Sequence, residues 1–188
     1  SLKALSELDN EAVSQVVGPS KRKDVVIVVG SGGREHALAV ALAKSPLVFE
    51  VLCCPGNGGT ATETESNPKI KNRGANQEND TVIELAKEVG AKLVVVGPEG
   101  TLVAGLVDEM AIKCPDVLCF GPTKAAAELE ASKAFTKDFL QEHNIPTAKY
   151  KTFTDPEEAI KYVESLDDND RQVIKASGLA AGKGVLLP

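Results

Sequence analysis

Apolar residues along this chain gather in short runs separated by turn formers. Asp24 to Gly30 (DVVIVVG) is an unbroken β-branched run ending in glycine, the pattern of a strand buried on both faces. Gly33 to Ser45 follows with helical composition, Val48 to Cys54 reads as a second strand, and Pro55 to Ala61 (PGNGGTA) reads as a loop. Thr81 to Val89 is predicted as a short helix, with Thr81 and Glu84 at capping-box spacing. Leu93 to Val96 is a third strand ended by Gly97-Pro98, Leu102 to Lys113 a helix, and Val117 to Phe120 a fourth strand ended again by Gly-Pro.

Four β-then-α alternations between Asp24 and Pro122 predict an α/β fold. Its core is a doubly wound parallel sheet with right-handed crossovers. In such sheets ligands bind at the carboxyl ends of the strands, where the glycine-rich loops of this segment fall. The pattern then changes. Thr123 to Asn144 is nearly all helix-forming, with Ser132 placed to cap a second helix or mark a bend, and Ile145-Pro146 ends it. Ala148 to Phe153 is expected as a strand and Asp155-Pro156-Glu157 as a helix start, with Asp as cap and Pro at the first helical position. Gln172 to Ala176 and Val185 to Leu187 flank a glycine-rich turn as two further short strands. The expected organisation is a leader or linker over 1–23, a substrate-binding α/β domain over 24–122, connecting helices over 123–144 and a partial α+β subdomain over 145–188.

Composition adds exclusions. A net charge of -6 argues against a general nucleic-acid or anionic-membrane surface, while leaving room for a locally positive site. No apolar run approaches the ~18–20 residues of a membrane span. Ser1 to Lys23 mixes acids with a late basic trio, the reverse of a secretory signal, and the missing initiator Met fits a fragment or a processed chain. Cys53, Cys54, Cys114 and Cys119 lack zinc spacing and read as reduced, mostly buried thiols of a cytosol-like compartment. A cytoplasmic setting is therefore expected, with an organellar one left open.

Three strand-end segments and one later loop carry the candidate chemistry. Gly30-Ser31-Gly32-Gly33-Arg34-Glu35-His36 joins a strand to a helix, and its N–H groups and helix dipole suit an anion. It is not a dinucleotide fingerprint: Glu35 stands where the third glycine belongs, and Cys53-Cys54-Pro55 replaces the acid expected after the second strand. Arg34 suits either a phosphate fork or a surface ion pair, and His36 a structural hydrogen bond. Pro55 to Thr60 and Gly97-Pro98-Glu99 are weak signals singly. Together with the first loop they would ring one ligand, with Glu99 as a ribose-diol acceptor or a solvated acid. Gly178 to Gly184 contains Gly-Lys-Gly but not a P-loop, because the spacing is one residue short and Gly184 stands where Ser or Thr should follow the lysine. It reads instead as a hairpin closing over nucleotide phosphates, with Lys175 and Lys183 supplying charge.

GSGGREHALA, PGNGGTA, VGPE, FGP, LEASKAFTKDFL, IPTA and IKASGLAAGKGV, in this order, resemble the motifs of the phosphoribosylamine–glycine ligases. The resemblance spans about Asp24 to Leu187. It implies a pre-ATP-grasp, Rossmann-like domain followed by the start of an ATP-grasp lid. It also implies the family's reaction in purine synthesis, in which ATP phosphorylates the glycine carboxylate and the amine of phosphoribosylamine attacks the acyl phosphate. By motif, Gly32, Gly33, Arg34, Glu35, Asn57, Gly58, Thr60 and Glu99 would hold the phosphoribosyl group. Lys133, Lys175, Gly178, Gly182, Lys183 and Gly184 would hold ATP. Mg²⁺ ligands are expected outside the chain and catalytic residues stay unassigned; with the catalytic machinery incomplete, the segment alone is expected to be inactive.

Two small departures appear. Ser177 stands where the family often has Asp, and Gly100-Thr101-Leu102 stands for Ala-Pro-Leu. Expected partners are phosphoribosylamine, glycine and ATP, with neither nucleic acid nor membrane, and with fusion to other purine enzymes possible in the parent. Three alternatives remain: another purine ATP-grasp ligase, a non-catalytic phosphosugar-binding module derived from the ligase, or an NAD-linked oxidoreductase.

Overall fold

The computed structural model describes residues 24–167, 171–180 and 183–187. The expected leader over 1–23 and the candidate Gly182 lie outside the described residues. The first unit runs β1 (Asp24–Gly30), α1 (Gly33–Ala43), β2 (Val48–Pro55), α2 (Gly58–Ser66), β3 (Ile70–Asn72), α3 (Asn79–Val89), β4 (Leu93–Val96), α4 (Glu99–Val103), α5 (Leu106–Lys113) and β5 (Leu118–Phe120). Its five strands are all parallel, in the order β3-β2-β1-β4-β5.

The β-branched run of β1 makes it the central strand. Ile27, Val28 and Val29 are fully buried, and each contributes roughly 1.5–3 kcal/mol by leaving water. Alternate residues face opposite layers. Ile27 and Val29 join Val82, Ala86, Leu106 and Met110 of α3 and α5, whereas Val26 and Val28 join Ala39 and Ala43 of α1. Cys53 and Cys54 divide between the same two layers. All four cysteines are free thiols. Burial pushes those of Cys53, Cys54 and Cys119 up to about 11.

Register places the functional rim. Gly30 pairs with Pro55, and Val29 pairs with both Cys54 and Val96. The carboxyl ends of β2, β1 and β4 are therefore level and adjacent. The chain winds outward from β1 to β2 and β3, then returns past β1 to β4 and β5. The reversal lies between β1 and β4, the topological switch point at which such sheets bind ligands.

Several boundaries differ from expectation. The segment read as a loop after β2 becomes α2, because Asn57 caps it: Thr60 N–H donates to Asn57 Oδ1 at 2.9 Å. β3 was not anticipated; three residues at a sheet edge are too short to show a pattern. The helix α3 starts at Asn79 with Glu78 as N-cap and no side-chain cap bond, so Thr81 does not form the expected box. Gly105, at φ +89°, breaks the helix expected over Leu102 to Lys113 into α4 and α5.

The second part contains α6 (Lys124–Ala131), α7 (Lys133–Glu142), α8 (Pro156–Glu164) and an antiparallel pair, β6 (Ile174–Lys175) with β7 (Val185–Leu186). Ser132 does cap α7, accepting from Phe135 N–H at 3.2 Å, and Asp155 caps α8 with Pro156 at its start. Ala148 to Phe153 is not a strand. No neighbouring strand is offered to it among the described residues. Its side chains instead engage helices, with Tyr150 Oη donating to Asp138 Oδ1 at 2.6 Å and Phe153 packed on Tyr162.

Candidate phosphosugar and nucleotide sites

The three strand-end loops are tied to one another by side chains. The Asn57 Nδ2 amide donates to the carbonyls of Ser31 at 3.0 Å and Gly32 at 3.2 Å, joining the β2 loop to the β1 loop. Behind it, Thr60 is 1% exposed. Its hydroxyl accepts from Asn57 N–H at 2.8 Å and bonds Asn72 Oδ1 at 2.6 Å. Thr60 thus fixes Asn57 from below.

Glu35 is only 5% exposed. One of its oxygens accepts from Gly32 N–H and the other from Arg34 Nε, both at 2.7 Å. Arg34 also reaches Glu99 Oε2 at 3.5 Å across the switch point. The hydrogen bond to Glu35 raises the Arg34 pKa further above its ordinary value, and Glu99 adds to this. His36 lies 3.4 Å from Glu63 and packs where a Cβ on Gly59 would sit.

The candidate residues therefore separate by position. Gly32, Gly33, Arg34, Gly58 and Glu99 are exposed on one rim, with Asn57 half-buried among them. Glu35 and Thr60 lie beneath that rim. The Gly32 N–H is occupied by Glu35. Gly33 and Gly58 are the first residues of α1 and α2, where N–H groups have no intrahelical acceptor. Gly33, Gly58 and Gly100 share a further property: a Cβ on any of them would meet nothing within 4 Å among the described residues, and none has a positive φ. Neither packing nor backbone conformation explains glycine at these three places. In the sequence Gly100 stands out only as part of the departure from Ala-Pro-Leu and not as a site residue, the role given to its neighbour Glu99.

The second group of candidates is assembled separately. Lys133 opens α7 and its Nζ donates to the Gly178 carbonyl at 3.1 Å. Ser177 Oγ accepts from Ala134 N–H at 3.1 Å and lies 3.3 Å from Ser132 Oγ. The glycine-rich turn is thereby fastened to the helix start. Gly178 takes φ +120°, and Ala176 N–H donates to the Gly184 carbonyl at 2.7 Å to close the base of the hairpin. Lys175 and Lys183 are both exposed. Among the described residues no group of three or more His, Cys, Asp or Glu side chains could hold a metal ion.

Comparison with known proteins matches these two regions to two models in turn. Residues 24–130 match the phosphoribosylglycinamide synthetase N domain, and residues 131–188 match the ATP-grasp (A) domain of the same synthetase. The chain is 50% identical over 165 residues to the trifunctional purine biosynthetic protein adenosine-3 of Gallus gallus, covering 87% of this chain and 16% of that protein. It is 49% identical over 163 residues to the phosphoribosylamine–glycine ligase of Allochromatium vinosum, covering 86% of this chain and 36% of that enzyme. The chain thus spans about a third or less of these relatives.

Among solved structures, a biotin carboxylase domain of the Hydrogenobacter thermophilus 2-oxoglutarate carboxylase aligns with a TM-score of 0.64 at 20% identity, over 86% of this chain and 37% of that one. The N5-carboxyaminoimidazole ribonucleotide synthetase of Thermotoga maritima aligns with a TM-score of 0.52 at 18% identity, over 89% of this chain and 41% of that one. At such identity they speak for the fold alone. The glycine loops on the sheet rim and the Ser132–Lys133 helix start fall within consecutive domains of one enzyme, and the chain belongs to the phosphoribosylglycinamide synthetase family.

Proposed function

We propose that this chain supplies the phosphoribosyl-binding side and the first part of the nucleotide lid of a phosphoribosylamine–glycine ligase. The family's reaction takes glycine, ATP and 5-phosphoribosylamine to glycinamide ribonucleotide. The observation that carries the reading is the set of rim glycines at 33, 58 and 100, at each of which a Cβ would meet nothing within 4 Å among the described residues. Backbone N–H groups without intrahelical acceptors line that space on two sides, as a phosphate requires. Glu99 and the tied Asn57 stand beside it. A dinucleotide reading is disfavoured because Glu35 fills the crevice between β1 and β4.

Lys133, Lys175 and Lys183, with the Gly178 and Gly184 backbone, are assigned to ATP phosphates. Gly182 belongs to the same assignment on sequence grounds. These lysines would offset charge on a transferring phosphoryl group. Mg²⁺ belongs to the same proposal, but the described residues do not fit it as ligands, since no group of three or more His, Cys, Asp or Glu gathers among them. A cytoplasmic setting and a parent with further purine-enzyme domains, as the name of the avian relative suggests, complete the proposal. Among the described residues no helix is long and apolar enough to cross a membrane.

Calorimetric titration of the chain with glycinamide ribonucleotide and, separately, NAD tests the reading. Saturable binding of the ribonucleotide and none of NAD is expected. NAD binding of equal or greater strength would overturn it.

A further inference from the structure

We propose that Glu35 is a positioning residue that sets the β1 and β4 loops against one another at the switch point, without itself touching the phosphosugar. The inference rests on the site reading above. Three glycines form its socket. A Cβ on Gly30 would lie 2.6 Å from Glu35 Cγ, one on Gly32 would lie 2.7 Å from Oε2, and one on Gly97 would lie 2.2 Å from Oε1.

These glycines are explained by the carboxylate side chain that fills their missing Cβ positions, unlike Gly33, Gly58 and Gly100, whose Cβ space is open. The motif therefore contains glycines of two kinds. One kind makes room for Glu35, and the other leaves room for a ligand.

The hydrogen bonds give the socket its direction. Gly32 N–H and Arg34 Nε each occupy one oxygen, so the carboxylate accepts on both sides while 5% exposed. Arg34 carries the restraint across to Glu99. The β4 loop is additionally anchored by Gly97 N–H donating to the Val29 carbonyl at 3.1 Å. Shape thus fixes Gly97 against Glu35 from one side and charge fixes Glu99 through Arg34 from the other. A neutral amide of the same shape would keep the first restraint and weaken the second, since charge-assisted bonds are roughly twice as strong as neutral ones.

The test is amide NMR on the 188-residue chain and two variants, first without ligand and then with glycinamide ribonucleotide. Glu35→Gln should move the resonances of Gly32 and also of Glu99 and Gly100, and should weaken ribonucleotide binding about tenfold. Gly97→Ala approaches from the opposite loop. Its φ lies outside the left-handed region and the three atoms nearest the added methyl all belong to Glu35, so the carboxylate is displaced first and the Gly32 amide should shift. Unmoved Glu99 and Gly100 amides in Glu35→Gln, or an unmoved Gly32 amide in Gly97→Ala, would overturn the proposal. So would twofold or smaller weakening in Glu35→Gln. Failure of the wild-type chain to bind the ribonucleotide would overturn the phosphoribosyl reading instead, and the ligand-free spectra would still decide the role of Glu35.

Discussion

Asn57 donates its side-chain amide to the carbonyl of Gly32 at 3.2 Å, a bond that spans twenty-five positions of sequence and ties the loop of one strand to the loop of the next. The same side chain caps α2 through its other atom. One residue therefore sets both the start of a helix and the spacing of two loops. Asn57→Ala should lose the cap and the tie together, costing about 1–2 kcal/mol. Urea denaturation monitored by circular dichroism checks this, and an unchanged midpoint would contradict it.

Thr60 makes a sharper case because it is buried. Thr60→Val keeps the shape but leaves Asn57 N–H and Asn72 Oδ1 without their hydroxyl partner. A cost of about 1–3 kcal/mol is expected, as for any buried polar group stripped of its bond. The same denaturation experiment reads it.

Glycines with open and with filled Cβ positions predict opposite outcomes. Gly33→Ala should change stability by less than about 0.5 kcal/mol, because its Cβ meets nothing. It should still weaken ribonucleotide binding. Gly56→Ala should cost on the order of 1–3 kcal/mol, since φ is +76° and the Cβ would lie 2.2 Å from Asn72 Oδ1. Equal destabilisation by both would show that the open space is not open.

Alkaline stability follows from the thiols. Cys53, Cys54 and Cys119 titrate at about 11 in the folded chain, against an ordinary value of 9.0. Between those values the unfolded state has released protons that the folded state retains, so unfolding becomes easier as pH rises. Stability should be fully present below about pH 9 and fall from there towards pH 11. Cys54→Ala should flatten that fall, which stability curves at several pH values would show.

The sheet was legible because its strands are nearly pure β-branched runs, and an aliphatic run such as Val25 to Val29 has few other ways to be buried. What was not legible depended on partners distant in sequence. Pro55 to Ala61 looks like a loop until Asn57 and Asn72 are brought together around Thr60, where α2 begins. Ala148 to Phe153 has strand composition but no strand beside it among the described residues. For the site, the glycine loops announced their rim, whereas their spelling could not distinguish glycines packed against Glu35 from those facing open space. That difference lies in which way one carboxylate points.

If the glycines at 33, 58 and 100 face one phosphosugar, its binding must be felt at all three positions and at their neighbours on the rim. The most direct measurement is a residue-resolved amide shift map of the labelled chain during titration with glycinamide ribonucleotide. Saturable shifts centred on Gly33, Gly58 and Gly100 are expected, with Asn57 and Glu99 beside them and the hairpin around Lys175 and Gly184 unmoved. Shifts confined to that hairpin, or spread over the α3 and α5 face of the sheet, would contradict it.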